Sequence, residues 1–561
     1  MNFVNWCRGA LLLAFVTVSL RAVPMPVQVS EARSGMVAAG HPDATAAGVA
    51  VLQAGGNAID AAVAVGFALG VTEPYGSGVG GKLALVYRDA RTGKVSVIEA
   101  LDQASTHLDE DAFRKLPAGA RNGGAHSVAV PGFVAGMLEA HARWGTKPRA
   151  ELLAPAIKLA EQGFEVRQPQ VKFFRSQENK MKANAELGRI YMPGGKIPSA
   201  GQRIQNADLG KTLRLIAEKG AAGFYRGPVA EKMVAALQKA GSPIRADDFA
   251  GYRARVTEPL MVRFRGMEVY SAPPPVSGGG VFLLALAALD GERIAGDSVL
   301  KPEALDHVMR IFLEADAACR GVLGDREESR KAWERLLSAR SLADLRKQAS
   351  APVMTTSAVW ASVEDGFEAM AAETTHFVVV DKAGNVVSAT QSQSNHFGSG
   401  LVPPGTGVVL NNSMSNFNRT AGNPNEVKAG RRPRTTIAPA VLVRDGRPVA
   451  GIGLPGGSRI PSAMVQVTTD YLMFGRSLEE AIAAPRFHPV TRRAGQTENR
   501  FETERETDYR VAEALREKFG WKDGTDADTE SFGGINAVEI MPDGRRRGYA
   551  DQRRSNTAMG Y

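Results

Sequence analysis

One threonine lies where its hydroxyl could act as a nucleophile. Thr374 follows Glu373 and begins a β-branched, apolar run that ends at Asp381. A threonine hydroxyl is a weak nucleophile unless a base lies beside it, and a threonine at a new chain terminus carries its own base, the α-amine. Such chemistry requires cleavage of the Glu373–Thr374 bond, a second hydroxyl and an oxyanion hole. The structural alternative is that Thr374 and Thr375 only begin a buried strand, since β-branched residues favour strands.

A glycine-rich turn offers the oxyanion hole. The stretch GIGLPGGSR (residues 451–459) lies between a strand pattern and a helix pattern, and it directs the backbone N–H groups of Gly456 and Gly457 toward the helix entrance. Paired N–H donors of this kind stabilise an oxyanion. A dinucleotide site is a poor interpretation because Pro455 lacks an N–H group and no βαβ unit surrounds the turn. A plain tight turn remains the alternative.

A second G-x-G-x-x-G match, GSGVGG at residues 76–81, follows a helix pattern and precedes a strand. A dinucleotide-binding fingerprint needs the reverse order, so this match is not one. The motif G-x-S-x-G is absent, which leaves an α/β-hydrolase nucleophile elbow unsupported.

Composition excludes several classes of protein. A net charge of +9 over 561 residues is mild, and the longest basic run is the three arginines at 545–547, so nucleic-acid binding is not expected. The two cysteines, Cys7 and Cys319, cannot form a disulfide framework. The eight histidines are scattered and no HExxH occurs, so the sequence offers no ligand set for a zinc site.

The N-terminus has the features of an export signal. Arg8 precedes an eleven-residue apolar stretch at 10–20, which is shorter than the roughly 20 residues that span a bilayer. We predict a signal peptide at residues 1–22 and an exported protein, periplasmic or secreted, with no stable membrane insertion after the signal is removed. The alternative is an uncleaved membrane anchor.

Periodicity indicates helices packed on both sides of strands. The strand patterns are β-rich or alternating segments, at residues 83–87, 95–99, 377–381, 386–391, 407–410 and 440–443. The helix patterns cover residues 35–71 with a break at 55–57, then 132–144, 152–163, 211–239, 281–289, most of 300–350, 462–474, 477–484 and 509–519. This order predicts packed αββα layers rather than separate domains.

Ordered motifs along the chain carry a family resemblance: GMVAAGHPDAT, AVLQAGGNAIDAAVAVGFALGVTEP, VPGFVAGM, APAIKLAEQGFEV, PPPVSGGG, TTHFVVVDKAGNVVSAT, GVVLNNSMSNF, LPGGSRI, APRFH and the terminal DQRRSNTAMGY. From about residue 35 to residue 561 the sequence resembles the γ-glutamyltransferase (γ-glutamyl transpeptidase, glutathione hydrolase) family of N-terminal nucleophile hydrolases. The TTH and PGGSRI segments are its most specific parts.

The resemblance implies an α/β fold, a four-layer αββα sandwich in which a large subunit (23–373) and a small catalytic subunit (374–561) interlock. The precursor would cut itself between Glu373 and Thr374. Thr374 would be the nucleophile, Ser392 would supply the second hydroxyl where the family usually has threonine, and Gly456 and Gly457 would hold the oxyanion. No metal or organic cofactor is implied. The expected partners are a small acyl-amide substrate and an amine acceptor.

Departures from the family pattern concentrate in the pocket for the glutamyl α-carboxylate and α-amine. Leu101 stands where the family has an arginine, and leucine cannot form the bidentate guanidinium clamp that a carboxylate favours. Asn416 replaces an aspartate that would pair with the α-ammonium, and Ser394 replaces an asparagine. Substrate-binding positions are thus expected at Ser394, Ser413, Asn416, Thr435 and Thr436, the last two in place of paired serines.

Two further hypotheses concern this pocket. The segment 418–432, which often includes a lid in the family, is short here, and an open cleft would admit larger substrates. Arg431, Arg432 or Arg434, which precede Thr435, are candidates for the charge that Leu101 lacks.

The sequence therefore predicts an exported, self-processing enzyme that cleaves γ-glutamyl amides such as glutathione through a threonyl acyl-enzyme and passes the acyl group to water or an amine. One alternative is the same machinery acting on another acyl amide, such as a β-lactam side chain or a γ-glutamyl polymer. A non-catalytic binding protein on this scaffold is the other.

Overall fold

The computed structural model describes residues 24–351, 372–491, 498–504, 507–524 and 528–561. The predicted signal peptide, residues 1–22, lies outside these ranges. None of the described helices combines the length and the apolar character that crossing a bilayer requires.

The strands are, in chain order, β1 (Val27–Ala32), β2 (Met36–Ala39), β3 (Lys82–Arg88), β4 (Val95–Ala100), β5 (Phe164–Glu165), β6 (Arg203–Ile204), β7 (Arg255–Thr257), β8 (Leu260–Phe264), β9 (Met267–Ser271), β10 (Ala372–Val380), β11 (Val386–Asn395), β12 (Ala440–Arg444), β13 (Arg447–Gly453), β14 (Phe487–Val490), β15 (Arg500–Thr503), β16 (Lys522–Asp523), β17 (Asn536–Ile540), β18 (Arg546–Asp551) and β19 (Thr557–Gly560).

The helices are α1 (Pro42–Gln53), α2 (Ala58–Thr72), α3 (Glu110–Lys115), α4 (Ala118–Asn122), α5 (Phe133–Trp144), α6 (Arg149–Gln162), α7 (Gln168–Ser176), α8 (Glu178–Ala183), α9 (Ala185–Tyr191), α10 (Ala207–Lys219), α11 (Ala222–Tyr225), α12 (Gly227–Lys239), α13 (Ala246–Gly251), α14 (Ser277–Leu289), α15 (Pro302–Arg320), α16 (Glu328–Leu336), α17 (Ala339–Ala349), α18 (Ile460–Leu472), α19 (Leu478–Ala483) and α20 (Tyr509–Phe519).

Two seven-stranded sheets form the centre of the fold. Sheet I has the order β1-β18-β17-β13-β12-β9-β8, and sheet II has the order β19-β2-β10-β11-β3-β4-β7. Neighbouring strands are antiparallel throughout both sheets. Each sheet combines strands from before and after the Glu373–Thr374 bond. The two parts of the chain are therefore interlocked in one unit.

The sheets face one another between two helical layers, giving the αββα sandwich. A Cβ added to Gly451 of sheet I would lie 2.7 Å from Cγ1 of Val378 in sheet II, so the two sheets approach closely here. Helices α1, α2 and α5 share an apolar core with the outer face of sheet II. Helices α14, α15 and α18 pack with sheet I and the residues between the sheets in a second core.

The sequence predicted much of this order. Residues 58–72 form a helix whose residues are all buried, which matches its almost wholly apolar composition. Asn57 caps this helix by accepting hydrogen bonds from the N–H groups of Ile59 and Asp60. The predicted pairing of residues 83–87 with 95–99 is confirmed as the antiparallel β3–β4 pair.

Two local predictions were wrong. Residues 407–410 do not form a strand, and Leu410 makes only an isolated bridge to Gly80, because Gly405 and Gly407 have positive φ angles that interrupt an extended run. Residues 36–39 form strand β2 rather than the start of a helix, since they pair with β10 and β19, which are distant in sequence.

Candidate active site

Thr374 lies inside sheet II on β10, which runs through the Glu373–Thr374 bond. Its side chain is buried, with 2% of the residue exposed, and its Oγ1 donates a hydrogen bond to Oγ of Ser392 at 3.3 Å. The two residues are cross-strand partners on β10 and β11, and the pairing register shifts between Glu373 and Thr374. The structure thus places the predicted second hydroxyl against the predicted nucleophile.

The loop at residues 76–81 lies directly on these two strands. A Cβ on Gly76 would stand 3.4 Å from the carbonyl oxygen of Thr374, and a Cβ on Gly81 would stand 2.3 Å from the carbonyl oxygen of Ser392. No side chain fits at residue 81 without moving the backbone. The GSGVGG stretch therefore has a packing role, the close approach of a loop to the nucleophile strand.

The glycine turn after β13 reaches the same strand. β13 ends at Gly453, where an added Cβ would lie 2.4 Å from Cε1 of the His376 ring on β10. Beyond it, Gly456 and Gly457 have φ angles of 141° and 61°, a left-handed geometry that glycine adopts readily. Within the described residues, neither of their N–H groups donates a hydrogen bond. Both donors are available to an oxygen atom.

His376 is the histidine nearest Thr374 along β10, and it is unsuited to act as a base. Its Nδ1 hydrogen-bonds Oγ1 of Thr390 at 2.8 Å, and burial lowers its pKa to about 3. An imidazole with such a low pKa holds a proton poorly at neutral pH. The side chain packs the space between the sheets.

A buried carboxylate, which sequence reasoning missed, anchors the residue after Thr374. Thr375 Oγ1 donates a hydrogen bond to Oε2 of Glu73, and the Tyr75 hydroxyl donates to Oε1 of the same carboxylate at 2.9 Å. These contacts fix β10 to the end of α2.

Three of the five expected substrate-binding residues form one cluster. The hydroxyls of Ser394 and Ser413 lie 2.9 Å apart, and Nδ2 of Asn416 donates to Oγ of Ser394 at 3.3 Å. Ser394 also connects this cluster to the nucleophile end, since its backbone N–H donates to Oγ of Ser392 at 3.0 Å.

Two charged residues complete this cluster, and sequence reasoning assigned no role to either. The Lys82 ammonium donates to Oγ of Ser394 and, at 2.8 Å, to Oγ of Ser413, while Oγ of Ser413 donates to Oδ2 of Asp102 at 2.5 Å. Lys82 Nζ lies 3.9 Å from that same carboxylate oxygen. In the sequence, the only indication of this role was a lysine at the start of segment 82–87, whose other residues are mostly apolar and predict a buried strand.

Burial sets the charge balance of this pair. Both side chains are almost fully buried, and desolvation lowers the pKa of Lys82 to about 8 and raises the pKa of Asp102 to about 7, because burial penalises the charged form of each group.

The described contacts of Leu101 and the three candidate arginines do not form a carboxylate clamp. Leu101 is fully buried in the apolar core between the sheets. The Arg432 guanidinium donates to Oε1 of Glu99 at 2.7 Å and stacks over the Tyr252 ring, so it serves an internal ion pair. Arg434 donates to the carbonyl oxygen of Arg320 at 3.3 Å. Arg431 is partly exposed, with Nη1 3.8 Å from a carboxylate oxygen of Glu426.

Thr435 and Thr436 lie against the start of α14. The Thr435 carbonyl accepts hydrogen bonds from the N–H groups of Ser277 and Gly278 at 2.8 and 3.1 Å. Thr436 lines a narrow cavity together with Arg434 and Ser458, the residue after Gly457. No described hydrogen bond joins either threonine to Ser394, Ser413 or Asn416.

Comparison with known proteins connects this arrangement to a family. The family model described as gamma-glutamyltranspeptidase matches residues 44–561. A glutathione hydrolase proenzyme of Pseudomonas sp. strain A14 is 33% identical over 550 residues, which cover 94% of this chain and 95% of that protein. An acylase ACY 1 proenzyme of Pseudomonas sp. strain V22 is 34% identical over 536 residues, with 94% and 93% covered.

A solved structure from a similar protein has the same fold. The crystal structure of a cephalosporin acylase from Bacillus halodurans superposes with a TM-score of 0.84 at 28% identity, covering 98% of this chain and 99% of that one. The match extends over both sheets and both helical layers.

Proposed function

Because the chain belongs to the γ-glutamyltranspeptidase family of N-terminal nucleophile hydrolases, we propose that it is an exported precursor that cuts itself between Glu373 and Thr374. Removal of a signal peptide at residues 1–22 would leave a large subunit of residues 23–373 and a small subunit of residues 374–561. The family's relatives named proenzymes support a precursor.

Self-cleavage begins with attack by Oγ1 of Thr374 on the carbonyl carbon of Glu373. The C–N bond of that peptide breaks, the nitrogen takes up the hydroxyl proton and becomes the α-amine of Thr374, and an ester joins Glu373 to the threonine oxygen. Water hydrolyses the ester and releases the carboxylate of Glu373. The hydrogen bond between Thr374 and Ser392 supports this step because it holds the attacking hydroxyl in a fixed position.

Turnover uses the same hydroxyl with its new base. The α-amine of Thr374 takes the hydroxyl proton as Oγ1 attacks the substrate amide, and the N–H groups of Gly456 and Gly457 stabilise the oxyanion. The leaving amine takes that proton from the α-ammonium as the amide C–N bond breaks. Water or an acceptor amine then attacks the acyl ester and frees Thr374. No step calls on a metal or an organic cofactor.

One observation carries this proposal: the strand that holds the buried Thr374–Ser392 hydroxyl pair is contacted by a glycine turn whose two N–H groups donate no described hydrogen bond. A binding protein on the same scaffold would have no need of this combination.

The proposed substrates are γ-glutamyl amides such as glutathione, as the name of the glutathione hydrolase relative indicates. A second candidate is an amide with a different acyl group. It is favoured by Leu101 at the position of the family's arginine and by the likeness to proteins named acylases. The amine released, or the amine that accepts the acyl group, would be the second small-molecule partner.

Denaturing gel electrophoresis tests self-cleavage. The wild type should give two bands, the smaller corresponding to residues 374–561, and Thr374→Ala should give one band at full length. A single full-length band from the purified wild type would contradict the proposal. Thr374→Ser is the matched control, since it keeps both a hydroxyl and an α-amine and should still give two bands.

A panel of anilides tests the substrate class. Hydrolysis and transfer of γ-glutamyl p-nitroanilide would be compared with anilides whose acyl groups lack the α-carboxylate. A preference for the γ-glutamyl compound supports the first candidate, and a preference for acyl groups without that carboxylate supports the second.

A further inference from the structure

A row of side chains crosses sheet II from the proposed nucleophile to the position of the missing arginine. Thr374 on β10 pairs with Ser392 on β11, and Ser392 pairs with Lys82 on β3. On β4, Ala100 pairs with Leu83. Because the two strands are antiparallel, the residue before Leu83, which is Lys82, lies opposite the residue after Ala100, which is Leu101. Directly opposed residues of adjacent strands project from the same face of a sheet. Lys82 thus stands between Leu101 and the hydroxyl pair.

The Lys82 ammonium has donor capacity left for a ligand. An ammonium group carries three N–H donors. Two of them bond the hydroxyls of Ser394 and Ser413, and within the described part of the chain no third acceptor lies within hydrogen-bond distance, since Asp102 is 3.9 Å away. Asn416, which bonds Ser394, is partly exposed, so this cluster borders solvent.

We propose that Lys82 binds the carboxylate of the substrate's acyl group in place of the arginine that Leu101 replaces, an inference that rests on the proposed function above. The substrate class is an amide whose acyl chain ends in a carboxylate, as γ-glutamyl and glutaryl groups do. Both place that carboxylate three carbons from the amide carbonyl, and they differ only in the α-amine.

The distances across the sheet agree with this assignment. Two steps of roughly 4.8 Å between neighbouring strands put the backbone of Lys82 about 10 Å from that of Thr374, and position 101 is one step farther. A lysine side chain that starts on β3 is long enough to extend toward an acyl chain bound at Thr374. The charge that the family places on β4 is moved here to β3, one strand nearer the nucleophile.

Nearby groups can balance the added negative charge. Asp102 neutralises Lys82 in the free protein, and a second carboxylate would leave an excess of negative charge in a buried site. Because burial raises the pKa of Asp102 to about 7, this carboxyl group can take up a proton when the substrate carboxylate arrives. For a γ-glutamyl group, the α-ammonium provides a second way of balancing the charge.

The competing interpretation is that Lys82 only positions Ser394 and Ser413. Among the described contacts, Arg432 bonds Glu99, Arg434 bonds the carbonyl of Arg320 and Arg431 lies near Glu426, and none of these contacts is with the serine cluster. A positioning role would affect all acyl groups alike, whereas carboxylate binding affects only the acyl groups that carry one.

The test compares three anilides of equal acyl chain length: γ-glutamyl, glutaryl and pentanoyl p-nitroanilide, of which only the last lacks the terminal carboxylate. In the mature wild type, kcat/KM for the glutaryl or γ-glutamyl compound should exceed that for the pentanoyl compound by about tenfold or more, since hydrogen bonds to charged groups contribute that much. Lys82→Met should reduce this ratio by about the same factor, through KM, and Lys82→Arg should restore most of it.

Lys180→Met is the matched control. The Lys180 ammonium is also largely desolvated, with its pKa lowered to about 8, but it donates to the backbone carbonyls of His396 and Gly398. Its replacement should leave the ratio between the carboxylate-bearing and pentanoyl anilides unchanged.

Two results would overturn the inference. One is a wild type that cleaves all three anilides with similar kcat/KM. This measurement uses no variant, so it can contradict carboxylate binding by Lys82 even if Lys82→Met does not mature. The other is a mature Lys82→Met whose ratio equals that of the wild type. These two results differ from the result expected if the proposed function itself is wrong. In that case the wild type would remain one chain and cleave no anilide. The γ-glutamyl to glutaryl ratio shows which of the two acyl groups is preferred.

Discussion

The two ends of the proposed acyl site differ in how closely they follow the family pattern. At the proposed nucleophile end, Thr374, Ser392, Gly456 and Gly457 would supply the hydroxyls and N–H donors that the family's chemistry needs. At the acyl end, the arginine position is Leu101, and the cation in the structure is Lys82, on the neighbouring strand. The proposed site would thus join a family reaction centre to a recognition pocket of different construction.

This difference has a physical basis. Bond cleavage needs a hydroxyl, a base and two aligned donors within a few ångströms, which leaves little choice of residue type. Recognition of a distant carboxylate needs only a positive charge at a suitable distance, and any strand of the sheet facing the pocket can supply one. Changes at the acyl end therefore alter the substrate without altering the reaction.

Thr374→Ala should have the largest effect on the nucleophile end. Loss of the covalent nucleophile, together with the unprocessed chain that results, should lower kcat by on the order of 10⁶-fold toward every anilide. Activity retained at wild-type level in a homogeneous Thr374→Ala preparation would show that the two ends do not belong to one acyl site.

Arg432→Met tests whether the acyl end is separate from the arginine next to it. Removing Arg432 leaves the buried Glu99 carboxylate, among its described partners, with the N–H of Leu101 and the exposed Arg255, so its closest buried counter-charge is lost and the free energy of unfolding should fall by about 3–5 kcal/mol. The preference for carboxylate-bearing anilides should stay at the wild-type ratio. Urea unfolding in the single-chain Thr374→Ala background measures the first quantity, and anilide kinetics of the processed protein measure the second.

Arg431→Met is the control for this measurement. Arg431 is partly exposed and its ion pair is long, so its loss should change stability far less. Were Arg432→Met instead to remove the carboxylate preference with little change in stability, the missing charge would come from Arg432 and not from Lys82.

Gly456→Ala tests the oxyanion turn. An alanine disfavours the φ angle of 141°, so the turn should rotate and misdirect the N–H donors, with kcat reduced by about 10²–10³-fold for all three anilides. Gly475→Ala is the control: it is also a positive-φ glycine, with open space around it and no place in the site, and it should keep wild-type kcat. Equal effects of the two substitutions would contradict the oxyanion role.

The smallest expected effect is a pH dependence confined to the acyl end. KM for the glutaryl anilide should rise with pH, because Asp102 becomes fully charged above its pKa of about 7 and competes for Lys82, and Lys82 itself loses its proton above about 8. The rise should reach at most about tenfold by pH 9, and KM for the pentanoyl anilide should not follow it. A parallel rise for both compounds would assign the titration to the nucleophile end.

Particular residues show what the sequence could and could not predict. The residue pattern around Thr374 predicted a strand, and the family motifs assigned Ser392 and the glycine turn to the same site. The only signal for Lys82 was ambiguous, because a lysine at the start of an apolar strand is also typical of a solvated strand end. Its role depends on cross-strand register with Ser392 and on contacts with Ser394 and Ser413, more than 300 residues away.

The same non-local dependence explains the errors in the fold. Residues 36–39 are a strand because β10 and β19 lie on either side of them, and local composition does not contain that information. Arg432 was a reasonable candidate for the missing charge until its partner was known, and that partner, Glu99, lies 333 positions earlier in the chain.

Trapping the acyl-enzyme shows whether acyl transfer passes through Thr374. Purified mature protein would be mixed with γ-glutamyl or glutaryl p-nitroanilide, quenched in acid within the first turnover, and digested for peptide mass spectrometry. We expect the acyl group on the peptide that begins at Thr374, as an ester on its hydroxyl. Turnover of the anilide with the acyl group on another residue, or with a chain that is still intact between Glu373 and Thr374, would contradict it.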